Sequence, residues 1–176
     1  MRRVTLYLGI SLDGFLADRS GGVDWMTGED PDAGDAGAYD RFVAGVDTVV
    51  MGWNTYRQIT EELSPGRWVY GGLTSYVITH RRLPSTQEIH FVDEDPCALV
   101  RRLRSQPGRD IWICGGAGVA QPLIAGNLID RYQLSLLPIV LGGGIPLFGR
   151  TDAPLPLRLI GSSSVNGIVE LTYERR

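Results

Sequence analysis

Two stretches of this chain follow one local design. In each, an apolar, β-favouring run stops at glycine and passes at once into a helical pattern. The first is Thr48-Val49-Val50-Met51-Gly52-Trp53-Asn54-Thr55; the second is Ile111-Trp112-Ile113-Cys114-Gly115-Gly116-Ala117-Gly118. A fully apolar strand needs cover on both faces, and a helix that follows it directly supplies that cover, so the joint commits the chain to an α/β architecture. Glycine is abundant, 23 of 176 residues, and it clusters at Gly21-Gly22, Gly71-Gly72, Gly115-Gly116-Gly118 and Gly142-Gly143-Gly144. No fixed period links the clusters, which argues against a repeat protein. Each follows or separates an apolar run, as tight turns at strand ends do.

The rest of the chain fits that frame. Residues 4–10 read as a buried strand. A polar stretch, 18–34, follows, with Trp25 and Met26 as its large apolar residues; a loop of that length in a compact domain is usually functional. A weak helix is expected over about 35–44, with Tyr39, Phe42 and Val43 on one face and Gly45 as its stop. Strands are expected at 48–51, 75–79, 88–92 and 111–114, and helices at about 54–63, 96–104 and 119–125. Asp95-Pro96 is an N-cap followed by proline at the first helical position. Pro122 is expected in a first turn, where its missing N–H costs little. Residues 130–141 read as one long strand broken by Pro138. The alternating stretches 155–164 and 167–173 flank Asn166-Gly167, a strong hairpin signal. Strand–helix units that finish in an antiparallel hairpin predict one domain: a mixed, mostly parallel sheet with helices on its faces.

Composition narrows the function. A net charge of -3 without an arginine stripe argues against nucleic-acid binding. Cys97 and Cys114, and His80 and His90, fall in no metal-ligand spacing, so no metal site is expected. The amino-terminal apolar run is interrupted by Asp13 and Asp18 and reads as neither signal peptide nor membrane span. The expectation is a cytoplasmic protein whose partner is a small-molecule substrate, with no role at a membrane.

The two glycine joints are where chemistry is expected. A helix start presents unpaired N–H groups and about half a positive charge, and glycine lets a phosphate approach that backbone. Asn54 and Thr55 add side-chain donors. Either joint alone is commonly just a tight turn; two on one sheet suit a diphosphate. The standard dinucleotide fingerprint is missing, because Gly116-Ala117-Gly118 runs into Val119-Ala120-Gln121. Thr79-His80-Arg81-Arg82, at a strand's end, offers a hydroxyl and guanidinium groups for a second phosphate, such as the 2′-phosphate of NADPH; the alternative is a solvated basic turn. Asp13 beside Gly14 is either a turn residue or a carboxylate that orients substrate or relays a proton. Trp25 either covers a ligand or anchors the loop, and Tyr39 packs or meets substrate. Asp35 is a first-turn acid or a second candidate catalytic carboxylate. Cys114 reads as a buried small hydrophobe.

Together these segments resemble the dihydrofolate reductase superfamily, in the branch of the C-terminal reductase domain of the bacterial bifunctional riboflavin-biosynthesis deaminase/reductase. The similarity is carried by Ser11-Leu12-Asp13-Gly14-Phe15-Leu16-Ala17, by Asp47 to Gly52 with Thr55-Tyr56, and by Gly115-Gly116. It continues through Asp130 and Pro138 to Leu141-Gly142-Gly143-Gly144 and Pro146-Leu147-Phe148. The resemblance implies a three-layer fold of about eight strands and an NADPH-dependent reductase acting on a small heterocycle or ribosyl-pyrimidine, such as 5-amino-6-(5-phosphoribosylamino)uracil. Alternatives are dihydrofolate reductase and a non-catalytic NADPH-binding sensor. It implies that Gly52, Asn54, Thr55, Gly115, Gly116, Gly118 and Val119 hold the diphosphate. Thr79 and Arg81, with His80 beside them, take the adenosine phosphate, and Ile10 meets the nicotinamide. A homodimer face built by 133–141 and its neighbours is also expected. The chain departs from the family pattern at Trp53, where arginine is usual, and at Cys114, where a glutamate is common.

Overall fold

In the computed structural model, which describes residues 1–30, 32–33 and 37–176, the apolar runs become strands of one sheet. In chain order the elements are β1 (Val4–Ser11), β2 (Phe15–Ala17), α1 (Ala38–Val43), β3 (Val46–Gly52), α2 (Trp53–Gln58), a π-helical turn (Ile59–Leu63), β4 (Thr74–Ile78), β5 (Ile89–Val92) and α3 (Pro96–Arg104). There follow β6 (Asp110–Gly115), α4 (Ala117–Ala125), β7 (Arg131–Leu137), β8 (Ile145–Pro146), β9 (Leu157–Val165) and β10 (Ile168–Arg175). Eight strands pair in the order β5-β4-β3-β6-β1-β7-β10-β9, and β2 pairs separately with β8. The strands from β5 to β7 run parallel, while β10 is antiparallel to both β7 and β9. Helices cover both faces. This is the mixed, mostly parallel sheet with a closing antiparallel hairpin expected from the sequence.

Alternation along the strands sorts the core into two layers. Val4, Leu6 and Ile10 of β1, Val50 of β3, and Ile111 and Ile113 of β6 face α3 and α4, where Leu99, Leu103, Val119 and Leu123 meet them. The intervening Val49, Met51 and Trp112 face α1 and α2, against Tyr39, Phe42, Trp53 and Tyr56. The second layer is a chain of touching rings from Tyr7 and Phe42 through Trp112, Tyr70, Trp68 and Tyr56 to Trp53. The Asp95 side chain accepts a hydrogen bond from the Ala98 amide at 3.0 Å and caps α3, an interaction of about 1 kcal/mol. Asn166 and Gly167 both have positive φ, 55° and 74°, as a two-residue hairpin turn of the mirror-image type requires.

Several expectations are corrected. Helix α4 begins at Ala117, so Pro122 sits inside it and not in its first turn. The strand expected over 130–141 breaks at Pro138 as expected, since proline cannot donate to a ladder, but it does not resume over 139–141. The helix expected to run to residue 63 turns π-helical at Ile59. The small β2–β8 sheet carries no sequence signal, since its strands have three and two residues. It explains part of the 142–144 glycine run, for a Cβ on Gly144 would strike the Ala17 carbonyl. Arg2, near the amino terminus, is only 7% exposed. Its guanidinium bonds the Asp47 carboxylate, the Thr48 hydroxyl at 2.5 Å and the Arg109 carbonyl at 2.6 Å, joining β1, β3 and the entry to β6. Among the described residues, no helix is long and apolar enough to cross a membrane.

Candidate cofactor and substrate site

Parallel strands β4, β3, β6, β1 and β7 bring their C-terminal ends to one edge of the sheet, a common location for ligands in α/β proteins. Register fixes which ends are neighbours. Gly52 lies beside Ile78, Met51 beside Gly115, and Ser11 beside Leu137. The two glycine joints are therefore adjacent. A Cβ on Gly52 would lie 3.4 Å from Val119 Cγ2 and 4.0 Å from the Gly116 amide nitrogen. A Cβ on Gly116 would lie 3.4 Å from Thr55 Oγ1. Gly52 and Gly116 are the N-cap residues of α2 and α4; both are extended, and no side chain caps either helix. Gly115 has φ 122°, a conformation side chains rarely adopt, and its peptide to Gly116 is cis. Gly118 has nothing within 4 Å of its Cβ position, and Asn54 is exposed. Two helix starts without side-chain caps and the Thr55 hydroxyl thus lie side by side, with open space at Gly118.

The second anion-binding candidate lies one strand further out. Thr79 is buried, and its Oγ1 accepts from the Arg81 amide at 3.1 Å. Thr79, Arg81, Arg82, Phe91 and Asp93 line a surface depression. The Arg81 guanidinium lies over the Trp53 indole, 4.8 Å from the ring centre. His80 is exposed and its Nδ1 lies 2.5 Å from Asp93 Oδ1, which ties it to the turn after β5.

On the other side of the joints lies the end of β1. Asp13 accepts from Ser11 Oγ at 2.7 Å and from the amides of Leu141 and Gly142 at 3.1 and 2.8 Å. The Ser11 hydroxyl first, and then those amides, hold its carboxyl below the usual range. Asp13 thus clamps the exit of β1 to the 141–142 turn. Ile10 is 5% exposed and packs in the core. Trp25 Nε1 donates to the Gly22 carbonyl at 3.0 Å, bracing the long loop internally. Met26 Sδ lies 3.6 Å from the Cβ position of Gly9, beside Leu137 Cδ2 at 3.1 Å, so the loop sits over β1 at its glycine. The Tyr39 ring lies 6.0 Å from that of Trp112. Asp35 lies outside the described residues. Cys114 Sγ is 3.4 Å from Tyr70 Oη, and burial pushes its thiol up to about 11. At neutral pH it is a thiol, not a thiolate nucleophile.

Two contacts at this edge went unread in the sequence. Gln58 Nε2 donates to the Gly21 carbonyl at 3.0 Å, and the Asn166 side chain bonds the backbone of Asp30. Asn166-Gly167 signals a turn, and nothing in its spacing says what the carboxamide will reach.

The family model of the RibD C-terminal domain matches residues 2–169. The Bacillus subtilis protein YwjB is 37% identical over 176 residues, covering 99% of this chain and 98% of its own. A crystal structure of a putative riboflavin biosynthesis protein from Shewanella sp. PV-4 superposes with a TM-score of 0.84 at 27% identity, covering 99% of both chains. Dihydrofolate reductase from Enterococcus faecalis, solved with NADP(H), superposes with a TM-score of 0.68 at 14% identity, covering 98% of this chain and 96% of its own. This last likeness is one of fold.

Proposed function

Since the chain belongs to the RibD C-terminal domain family, we propose that it is an NADPH-dependent reductase of a small heterocycle, in the manner of the 5-amino-6-(5-phosphoribosylamino)uracil reductases. The observation that carries this reading is the adjacency of the two uncapped helix starts at Gly52 and Gly116. A Cβ at Gly52 would stand in ordinary contact with Val119 and near the Gly116 amide, so a side chain there would take up room in the cradle. It suits a diphosphate, whose charge the helix-end amides favour. Gly52, Asn54, Thr55, Gly116 and Gly118 are the residues to hold it, with Val119 as the wall. Thr79 and Arg81 face the adenosine phosphate, and Trp53 gives the guanidinium a ring to rest on. Bound there, the cofactor would supply the hydride; the protein orients it and excludes water.

Titration of NADPH against tryptophan fluorescence tests the reading, because Trp53 stands beside the cradle. Saturable quenching at micromolar cofactor is expected, and none at millimolar cofactor would overturn it. A second reading, a cofactor-binding protein without turnover, draws on the engagement of Asp13 with Ser11, Leu141 and Gly142. Tight NADPH binding with no oxidation across aminouracil, pterin and folate substrates would select it.

A second copy of the chain is the macromolecular partner this reading carries. Strand β7, in the segment expected to form a dimer face, has both edges paired. The sheet has two edge strands, β5 and β9, and the longer is β9, nine residues, where Leu159 and Ile160 are 51% and 44% exposed. An edge strand of this length with exposed aliphatic side chains is suited to pairing with another chain.

A further inference from the structure

We infer that Asn166, in the turn between β9 and β10, is a positioning residue for the substrate side of the site, holding residues 18–30 as a strap along the sheet's C-terminal edge. The inference rests on the reading of that edge as a reductase site.

The backbone conformation of the turn asks only for residues that accept positive φ, and glycine would serve at 166 as well as asparagine. The carboxamide does something further. Its Oδ1 accepts from the Asp30 amide at 2.8 Å, and its Nδ2 donates to the Asp30 carbonyl at 2.7 Å. The Asn166 carbonyl accepts from the Glu29 amide at 3.1 Å. The side chain therefore pairs with Asp30 through both its donor and its acceptor, as a neighbouring strand would. Two glycines make the approach close enough. A Cβ on Gly28 would run into the Asn166 amide, and one on Gly167 would lie 2.6 Å from Glu29 Cγ. Gly28 does not have a positive φ, so its lack of a side chain serves the approach and not a turn.

The strap is tied at its other end by Gln58 of α2, which donates to the Gly21 carbonyl at 3.0 Å. Asp18 closes the same end, its Oδ1 accepting from Ser20 and Gly22 amides, each at 2.8 Å. Between the two ties stand Trp25 and Met26, with Met26 over Gly9 of β1. The cofactor cradle at Gly52 and Gly116 makes none of these contacts. Release of the Asn166 end should therefore loosen the segment over β1 and leave the cradle as it is.

The test compares wild type with Asn166→Gly, which keeps the turn, with Asn166→Asp, which keeps the acceptor and loses the donor, and with Gly28→Ala. Hydrogen exchange at Glu29 and Asp30 should be at least tenfold faster in Asn166→Gly and Gly28→Ala, with Asn166→Asp between. NADPH affinity should stay within twofold of wild type. With 5-amino-6-(5-phosphoribosylamino)uracil as probe, KM should rise at least fivefold while kcat stays within threefold. Unchanged exchange at Asp30 overturns the latch. Faster exchange with an equal loss of NADPH affinity, or with KM unmoved, overturns its assignment to the substrate side. A wild-type chain that binds no NADPH refutes the reductase reading, whereas the exchange data still decide the latch.

Discussion

The guanidinium of Arg81 rests on the indole of Trp53, its carbon 4.8 Å from the ring centre. Trp53 opens α2 and Arg81 follows β4, so the pair bridges two neighbouring strand exits. The guanidinium beside the first glycine joint therefore comes from the neighbouring strand. Arg81→Ala should weaken NADPH binding by about 10- to 100-fold, the range for one charge-assisted hydrogen bond of about 1.5–3 kcal/mol, and leave NADH binding nearly unchanged. Fluorescence titration with both cofactors measures the ratio. Equal losses for the two would remove Arg81 from the adenosine phosphate.

The cradle is tested at Gly52. Its φ of -86° is comfortable for any residue, and the added methyl would stand 3.4 Å from Val119 Cγ2. Gly52→Ala should therefore fold with a melting temperature within a few degrees of wild type, yet bind NADPH at least tenfold more weakly. Calorimetry and binding on the same preparation separate the two effects.

Asp13 makes a prediction about acid. Its carboxyl titrates below 3.8 in the folded protein, so the stabilisation it provides is present above that ordinary value and is lost as pH falls through the lowered one. The amide resonances of Leu141 and Gly142 should shift together as pH drops below about 4, the ordinary carboxyl range. In Asp13→Asn that shift should be missing. Amides that ignore pH in wild type would show that the clamp does not operate in solution.

Cys114 predicts the alkaline limb. Burial raises its folded value from 9.0 to about 11, so folding is favoured below 9 and that contribution disappears as pH rises towards 11. The difference corresponds to about 2–3 kcal/mol. Denaturant melts from pH 8 to 11 should show a steeper loss for wild type than for Cys114→Ala. Matching slopes would mean that the thiol is more accessible than its contact with Tyr70 suggests.

The edge strand predicts assembly. Light scattering should give twice the chain mass of 19.3 kDa, and Leu159→Arg combined with Ile160→Arg should return it to one. A wild-type monomer at high micromolar concentration would dismiss β9 as an interface.

The sequence by itself determined every element whose cause is local. Apolar runs of strand length, Asp95-Pro96 at a helix start and Asn166-Gly167 at a hairpin each act over a few residues, so they can be read without knowing what lies opposite. The residue identities at both glycine joints were legible for the same reason. Only the tertiary structure decided which strand ends are neighbours, since the order β3-β6-β1-β7 depends on crossovers that no local pattern encodes. That order brings Gly52 to Gly116 and carries Asp13 to the 141–142 turn, more than a hundred residues away. It also gave Arg2 a buried partner and Asn166 a backbone to hold. Hydrogen bonds and ring contacts act over a few ångströms, and the chain sets those distances only when the sheet has formed.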